Sequence, residues 1–177
     1  MIQVLTCETV AAASGRRRIV VGIGEFAVSN DRSSVIVTHA LGSCVAVCLW
    51  DPDAKVAGLI HVLLPDSRIN PERAQTQPAA FADTGIPLLF RTAYDYGVQK
   101  KRVQVRLIGG ADITGIGHGA EGSVGKRNIM ATRALLWKNG VMVQREAVGG
   151  TEPRTVALEV GDGRIQVTSG RETIQVL

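Results

Sequence analysis

At 177 residues the chain is long enough for a domain with a substantial core. Its 45% hydrophobic and 20% charged content excludes a disordered or fibrous protein, and with no apolar run near 18 residues it offers no membrane-spanning helix. The formal net charge of +4 mildly favours acidic partners, but Arg16-Arg17-Arg18 has no aromatic neighbours and reads as a basic strand end, not a nucleic-acid patch.

Residues 1–16 read as a loose leader ahead of a single domain over 17–177. The start is not a secretory signal, because its arginines follow the apolar part. Ile19 to Val28 reads as a strand and Val35 to Thr38 as a short second one. A hairpin over residues 44–61 follows. Pro65 to Pro78 is polar, carries three prolines and has no periodicity, so it is expected to be a mobile loop. Helical spacing of Phe81, Leu88, Leu89 and Ala93 predicts a helix over 79–96, stopped by Gly97 and interrupted or shortened by Pro87. Val103 to Ile108 alternates as a strand. A glycine-rich loop spans 109–122, and Ser123 is placed to cap a helix reaching Lys138 and closed by Asn139-Gly140. Met142 to Val148 is a strand, and Thr155–Val160 with Arg164–Thr168 form a terminal hairpin around Gly161-Asp-Gly163. Many strands with two main helices predict an α+β protein with one or two sheets.

The chemistry concentrates in Thr38-His-Ala-Leu-Gly-Ser-Cys44 and the arms that follow. Val45, Val47, Leu49 and Trp50 are strand formers, and Asp51-Pro52 suits the first two positions of a type I turn. If Trp50 faces Lys55 across that turn, Cys44 lies directly opposite His61. Opposed residues of an antiparallel pair share a face with Cβ atoms roughly 4.5–5.5 Å apart, close enough for an imidazole to activate a thiol as a nucleophile. A slip of one residue would send the two side chains to opposite faces. Alternatively, Gly42-Ser43 starts a short helix with Cys44 in its first turn, where the dipole would lower the thiol pKa.

Other constellations are weaker. Cys48, four positions after Cys44, shares its face in strand or helix. With His61 the two cysteines suggest a metal, but no fourth ligand stands out, since His118 is in a distant loop and His39 points away from Thr38. Buried packing is the better reading of Cys48, and Cys7 reads as incidental. Three cysteines without a repeated framework suit a reducing, cytoplasmic setting. Thr38 and Ser43 flank Cys44. Either hydroxyl is able to orient His61, though strand filler and turn residue are the simpler roles. Gly117-His-Gly-Ala-Glu-Gly122 matches a dinucleotide fingerprint only loosely. Residues 120–127 lack both the first glycine and the Ser/Thr of a phosphate loop.

Together these residues resemble the chemoreceptor glutamine deamidase family, CheD. The resemblance is carried by Leu41-Gly-Ser-Cys44, Asp51, and His61-Val-Leu-Leu-Pro65. It continues through Phe81-Ala-Asp83, Gly109-Gly-Ala111, Gly125-Lys-Arg-Asn128, and Gly149-Gly-Thr151 with Arg154. It implies a layered α/β sandwich of two packed, mainly antiparallel sheets with two or three helices. It further implies cysteine-dependent deamidation of receptor glutamines to glutamates, with Cys44, His61 and Thr38 as catalytic triad and no cofactor or metal. Ser43, Gly42, Gly109 and Gly110 become the oxyanion and substrate-positioning candidates. The implied partners are the cytoplasmic helical region of chemotaxis receptors and a CheC-type phosphatase. The rival expectation is a non-enzymatic adaptor docking that phosphatase.

Overall fold

The computed structural model describes residues 9–11, 17–113, 122–170 and 172–176. Two sheets lie face to face, and helices cover the outer face of one of them. The first sheet has six strands: β1 (Thr9–Ala11), β2 (Arg17–Val20), β4 (Ser34–Leu41), β9 (Arg154–Glu159), β10 (Ile165–Ser169) and β11 (Glu172–Val176), adjacent in that order. The second has five strands, in the order β3 (Phe26–Ser29), β6 (Val56–Val62), β5 (Val45–Asp51), β7 (Gln104–Gly109) and β8 (Val143–Val148). Among the described pairs only β2 with β4 and β7 with β8 run parallel, so the sheets are mainly antiparallel, as the α+β expectation requires. Helices α2 (Ala82–Asp95) and α3 (Val124–Lys138) pack on the five-stranded sheet, and a short α1 (Pro71–Thr76) precedes them.

The middle layer explains an unusual sequence pattern. All seven residues of β5 and all seven of β6 are buried, because one face meets the other sheet and the other meets helices. Val45, Val47 and Leu49 face Ile86, Leu89, Phe90, Ile129 and Leu136 of α2 and α3. Cys44, Ala46, Cys48 and Trp50 face Ile36, Val156, Leu158 and Ile165 of the first sheet. Each fully buried Val or Leu in this layer contributes roughly 1.5–3 kcal/mol. The Trp50 indole also donates from Nε1 to the Val160 carbonyl at 3.0 Å, tying the sheets together. Beneath it Gly163 has a φ of +73°, and a Cβ there would stand 2.2 Å from the indole.

Several expectations need correcting. The segment 19–28 is two strands in different sheets. They are separated by a turn at 21–25 in which the Glu25 carboxylate accepts from the Gly22 amide at 2.9 Å. Residues 65–78 are not an open loop. Asp66 and Asn70 cap a 3₁₀ turn and α1, and Pro71 and Pro78 occupy first-turn positions that need no N–H. The long helix begins at Ala82 and carries Pro87 in its interior. Thr9–Ala11 pairs with β2 as an edge strand. The rest of the expected leader, Cys7 included, lies outside the described residues, as does Gly117-His118. No helix among the described residues is long and apolar enough to cross a membrane.

Candidate active site

The hairpin forms, in a register two residues from the expected one. Asp51 pairs with Val56 and Ala46 with His61, so His61 lies opposite Ala46 and not opposite Cys44. The cause is the turn. Lys55 adopts a φ of +54° and its amide bonds back to the Asp51 carbonyl at 2.9 Å, which keeps Asp51 inside the strand. Because side chains alternate with period two, a two-residue shift leaves Cys44 and His61 on the same face. They become diagonal neighbours, a relation in which Cα atoms stand roughly 7–8 Å apart and long side chains still meet. The alternative of a helix at Cys44 is not observed: Gly42-Ser43 is a bend, and Cys44 leads directly into β5.

Thr38 comes from the other sheet. It stands on β4, wholly buried, and its Oγ1 is 2.7 Å from His61 Nδ1. The same hydroxyl donates to the Val21 carbonyl at 2.7 Å. With its one proton committed there, Oγ1 accepts from Nδ1–H, which fixes the tautomer. Nε2 is therefore the unprotonated nitrogen. It is buried and has no hydrogen-bond partner among the described residues. Nε2 thus carries an unpaired lone pair on the face of the sheet that Cys44 shares, and no hydrogen bond joins it to the Cys44 sulfur; a free ring nitrogen of this kind is what a general base requires. Three segments thus converge: β4 brings Thr38, β6 brings His61, and the crossover from β4 to β5 brings Cys44.

Burial sets the protonation states. It pushes His61 down from 6.5 to about 4, so the imidazole is neutral. It also raises the Cys44 thiol above its ordinary 9.0, the sulfur's own backbone amide opposing in part. The resting pair is a neutral thiol and a neutral imidazole, not the low-pKa thiolate expected of a helix N-terminus. Cys48 is fully enclosed and pushed up to about 12 by burial, which makes it inert packing. His39 is exposed, with Nδ1 3.4 Å from the Thr155 hydroxyl. No group of three or more potential metal ligands occurs among the described residues.

The four glycine and serine candidates divide. The Gly42 amide is bonded to the Ala40 carbonyl at 2.9 Å, and the Gly110 amide to the Cys44 carbonyl at 2.7 Å. Neither is free to bind an oxyanion, so both act by shaping the Cys44 loop. Gly109 has a φ of +107°, and a Cβ there would lie 2.4 Å from the Cys44 carbonyl oxygen; only glycine lets the two backbones approach. The amides of Ser43 and Cys44 are the remaining donor candidates. Beside them a hollow of about 130 Å³ is lined by Ser43, Ala111, Ile113, Ser123 and Val124. A larger hollow of about 230 Å³ lies between α2 and α3 and includes none of the three converging residues.

One participant carries no role in the sequence reading. Asn128 of α3 is wholly buried, and its Nδ2 donates to the carbonyls of Ser43 at 2.9 Å and Leu63 at 3.0 Å. The available signal was an asparagine and a threonine, Asn128 and Thr132, on the apolar face that carries Ile129 and Leu136.

The family model described as CheD chemotactic sensory transduction matches residues 63–169. A protein of Syntrophus aciditrophicus named "Probable chemoreceptor glutamine deamidase CheD 1" is 45% identical over 151 residues, spanning 85% of this chain and 93% of that protein. A CheD 2 of the same description from Anaeromyxobacter dehalogenans is 45% identical over 152 residues, with 86% and 94% covered. One from Pyrococcus abyssi is 36% identical over 151 residues, with 85% and 91% covered.

Proposed function

The chain belongs to the CheD family, and from that premise we propose that it hydrolyses the side-chain amide of glutamines on chemotaxis receptors, giving glutamate and ammonia. The observation that carries the reading is the Thr38–His61 hydrogen bond, which leaves Nε2 bare on the face that holds Cys44.

The Thr38–His61 hydrogen bond and the shared face with Cys44 support the following steps. Cys44 Sγ attacks the γ-carboxamide carbon as His61 Nε2 takes the thiol proton. Charge on the carboxamide oxygen is met by the amides of Ser43 and Cys44. The imidazolium, held by Thr38 through Nδ1, returns the proton to the departing nitrogen, and ammonia leaves. The resulting thioester is hydrolysed by water deprotonated at the same Nε2, which regenerates Cys44 and releases glutamate. The substrate is the cytoplasmic helical region of the receptor, and the protein works in the cytoplasm. A purely adaptor role, docking a CheC-type phosphatase, has no use for a buried imidazole held by a hydroxyl on the face that carries a cysteine.

The test is incubation of the protein with a cytoplasmic receptor fragment, followed by peptide mass analysis and ammonia detection. Amide-to-acid conversion is expected with the native chain and none with Cys44→Ala, whose melting should remain cooperative. Conversion by Cys44→Ala at the native rate would refute the proposal.

A further inference from the structure

We propose that Asn128 is a positioning residue for the reaction: it clamps the segment bearing the nucleophile to the segment bearing the base. The inference rests on the reading of Cys44 and His61 as the reacting pair.

The β5–β6 ladder stops one pair short of the nucleophile. Its last pair is Val45 with Val62. The next residue of β6's strand leaves the sheet, because the Leu63 amide bonds to the Ala80 carbonyl at 2.8 Å. Cys44 is therefore not held against the His61 strand by sheet hydrogen bonds. Asn128 closes that gap. Its side-chain amide has two N–H donors, and both are spent, one on Ser43, directly before the nucleophile, and one on Leu63, two residues after the base. The same helix grips the loop a second way. Gly125 packs so closely on the backbone that a Cβ there would sit 2.5 Å from the Gly110 carbonyl oxygen, and the Gly110 amide holds the Cys44 carbonyl. A side chain that merely capped stray carbonyls need not join the two segments whose separation sets the sulfur-to-imidazole distance.

The geometry makes distinct predictions for different substitutions. Asn128→Asp conserves size but leaves at least one of the two carbonyls without a donor. Asn128→Ser keeps one donor, and Asn128→Ala keeps none. Thr132→Val, one turn away on the same buried face, alters a hydroxyl that has no partner among the described residues, and serves as the packing control. Two readouts separate positioning from structure. The first is kcat against KM on receptor fragment. A misplacement near 1 Å costs roughly 100-fold, so kcat should fall by about that factor in Asn128→Asp and Asn128→Ala with KM unchanged, and less in Asn128→Ser. Thr132→Val should match the native chain. The second is the rate of Cys44 alkylation by iodoacetamide as pH is raised from the His61 value of about 4 to the ordinary thiol value of 9.0. In the native chain neutral His61 takes the thiol proton as the C–S bond forms, so alkylation across this range is base-assisted, and His61→Ala should lose that acceleration. The Asn128 variants should follow His61→Ala, and the double variant should be no slower than either single one.

Asn128 variants that melt lower but keep the native kcat and alkylation profile would overturn the inference while leaving the Cys44–His61 pair intact. Identical profiles for the native chain and His61→Ala would refute the pair itself and the inference with it. If Asn128→Ala does not fold, the milder Asn128→Ser, which keeps one donor, carries the decision.

Discussion

Replacing Thr38 with valine is the sharpest probe of the site, because it keeps the volume and removes one oxygen. That oxygen sits between the Val21 carbonyl and His61 Nδ1, 2.7 Å from each, with Thr38 wholly buried and His61 1% exposed. The substitution strands a buried acceptor and a buried donor, each worth about 1–3 kcal/mol of stability, so the melting midpoint should drop. The kinetic cost has a separate origin. In the proposed transition state the ring carries positive charge, and a hydrogen bond to a charged group contributes about 1.5–3 kcal/mol. At 1.36 kcal/mol per tenfold in rate, that is roughly a 10- to 150-fold loss in kcat. Free of Thr38, the ring is also able to adopt the other tautomer, with the proton on Nε2, and that form is not a base. Ammonia release from a receptor fragment under saturating substrate measures the loss, and Thr38→Ser should recover most of it by restoring the hydroxyl. A valine variant that melts lower yet turns over at the native rate would show that the hydroxyl serves the fold alone.

Two further predictions concern stability. His61 has a folded-state pKa of about 4 against 6.5 when unfolded. The unfolded chain therefore binds the extra proton between those values, and stability should be complete above pH 6.5 and decline as pH falls toward 4, by at most about 3 kcal/mol. Denaturant titrations of the native chain and His61→Gln across that window should diverge in slope; parallel curves would refute the buried neutral imidazole. Asp51 has a wholly buried side chain and accepts from the amides of Asp53, Ala54 and Gln99 and from Arg102 Nε at 2.7 Å. Desolvation works to raise its pKa, but Arg102 and the three amides outweigh it and hold the carboxyl below its ordinary value. Asp51→Ala should cost about 2–4 kcal/mol in chemical denaturation, moderated by the partial exposure of Arg102. A change under half a kilocalorie would show that water replaces the carboxylate.

The same residues show which parts of the site could be read from sequence. Cys44 and His61 were legible because a hairpin is local: a run of strand formers, an Asp-Pro turn and a second run lie within 18 residues. The register was legible only modulo two. Asp51 is a poor strand former, so local propensity assigns it to the turn, whereas a remote Arg102 and the Gln99 amide secure it inside the strand. Thr38 had no such local signal. Its contact with His61 spans two sheets, and nothing in the spacing reveals that β4 and β6 belong to different layers. The segment 19–28 hid the same fact, since one continuous apolar stretch serves both sheets. Asn128 was the least legible, because its two acceptors are backbone carbonyls 85 and 65 residues away, and carbonyls have no signature in sequence.

The protonation states suggest why the site is built inside the sandwich and not on an exposed helix tip. Moving the proton from Cys44 to His61 at rest is steeply uphill, because burial raises the thiol above its ordinary value and lowers the imidazole to about 4. A free thiolate is therefore scarcely populated, and the buried sulfur is poorly reactive toward casual oxidants and electrophiles. The balance changes when a carboxamide occupies the site. In the proposed reaction, the negative charge would leave sulfur for the carboxamide oxygen as the C–S bond forms, where amide donors would receive it, while His61 would keep the proton under the hold of Thr38. The uphill transfer is then coupled to bond formation and is not a separate step. Reactivity is thereby conditional on a substrate whose oxygen reaches those donors, and the low-dielectric interior that suppresses the resting ion pair strengthens the same electrostatics once the charges are paired.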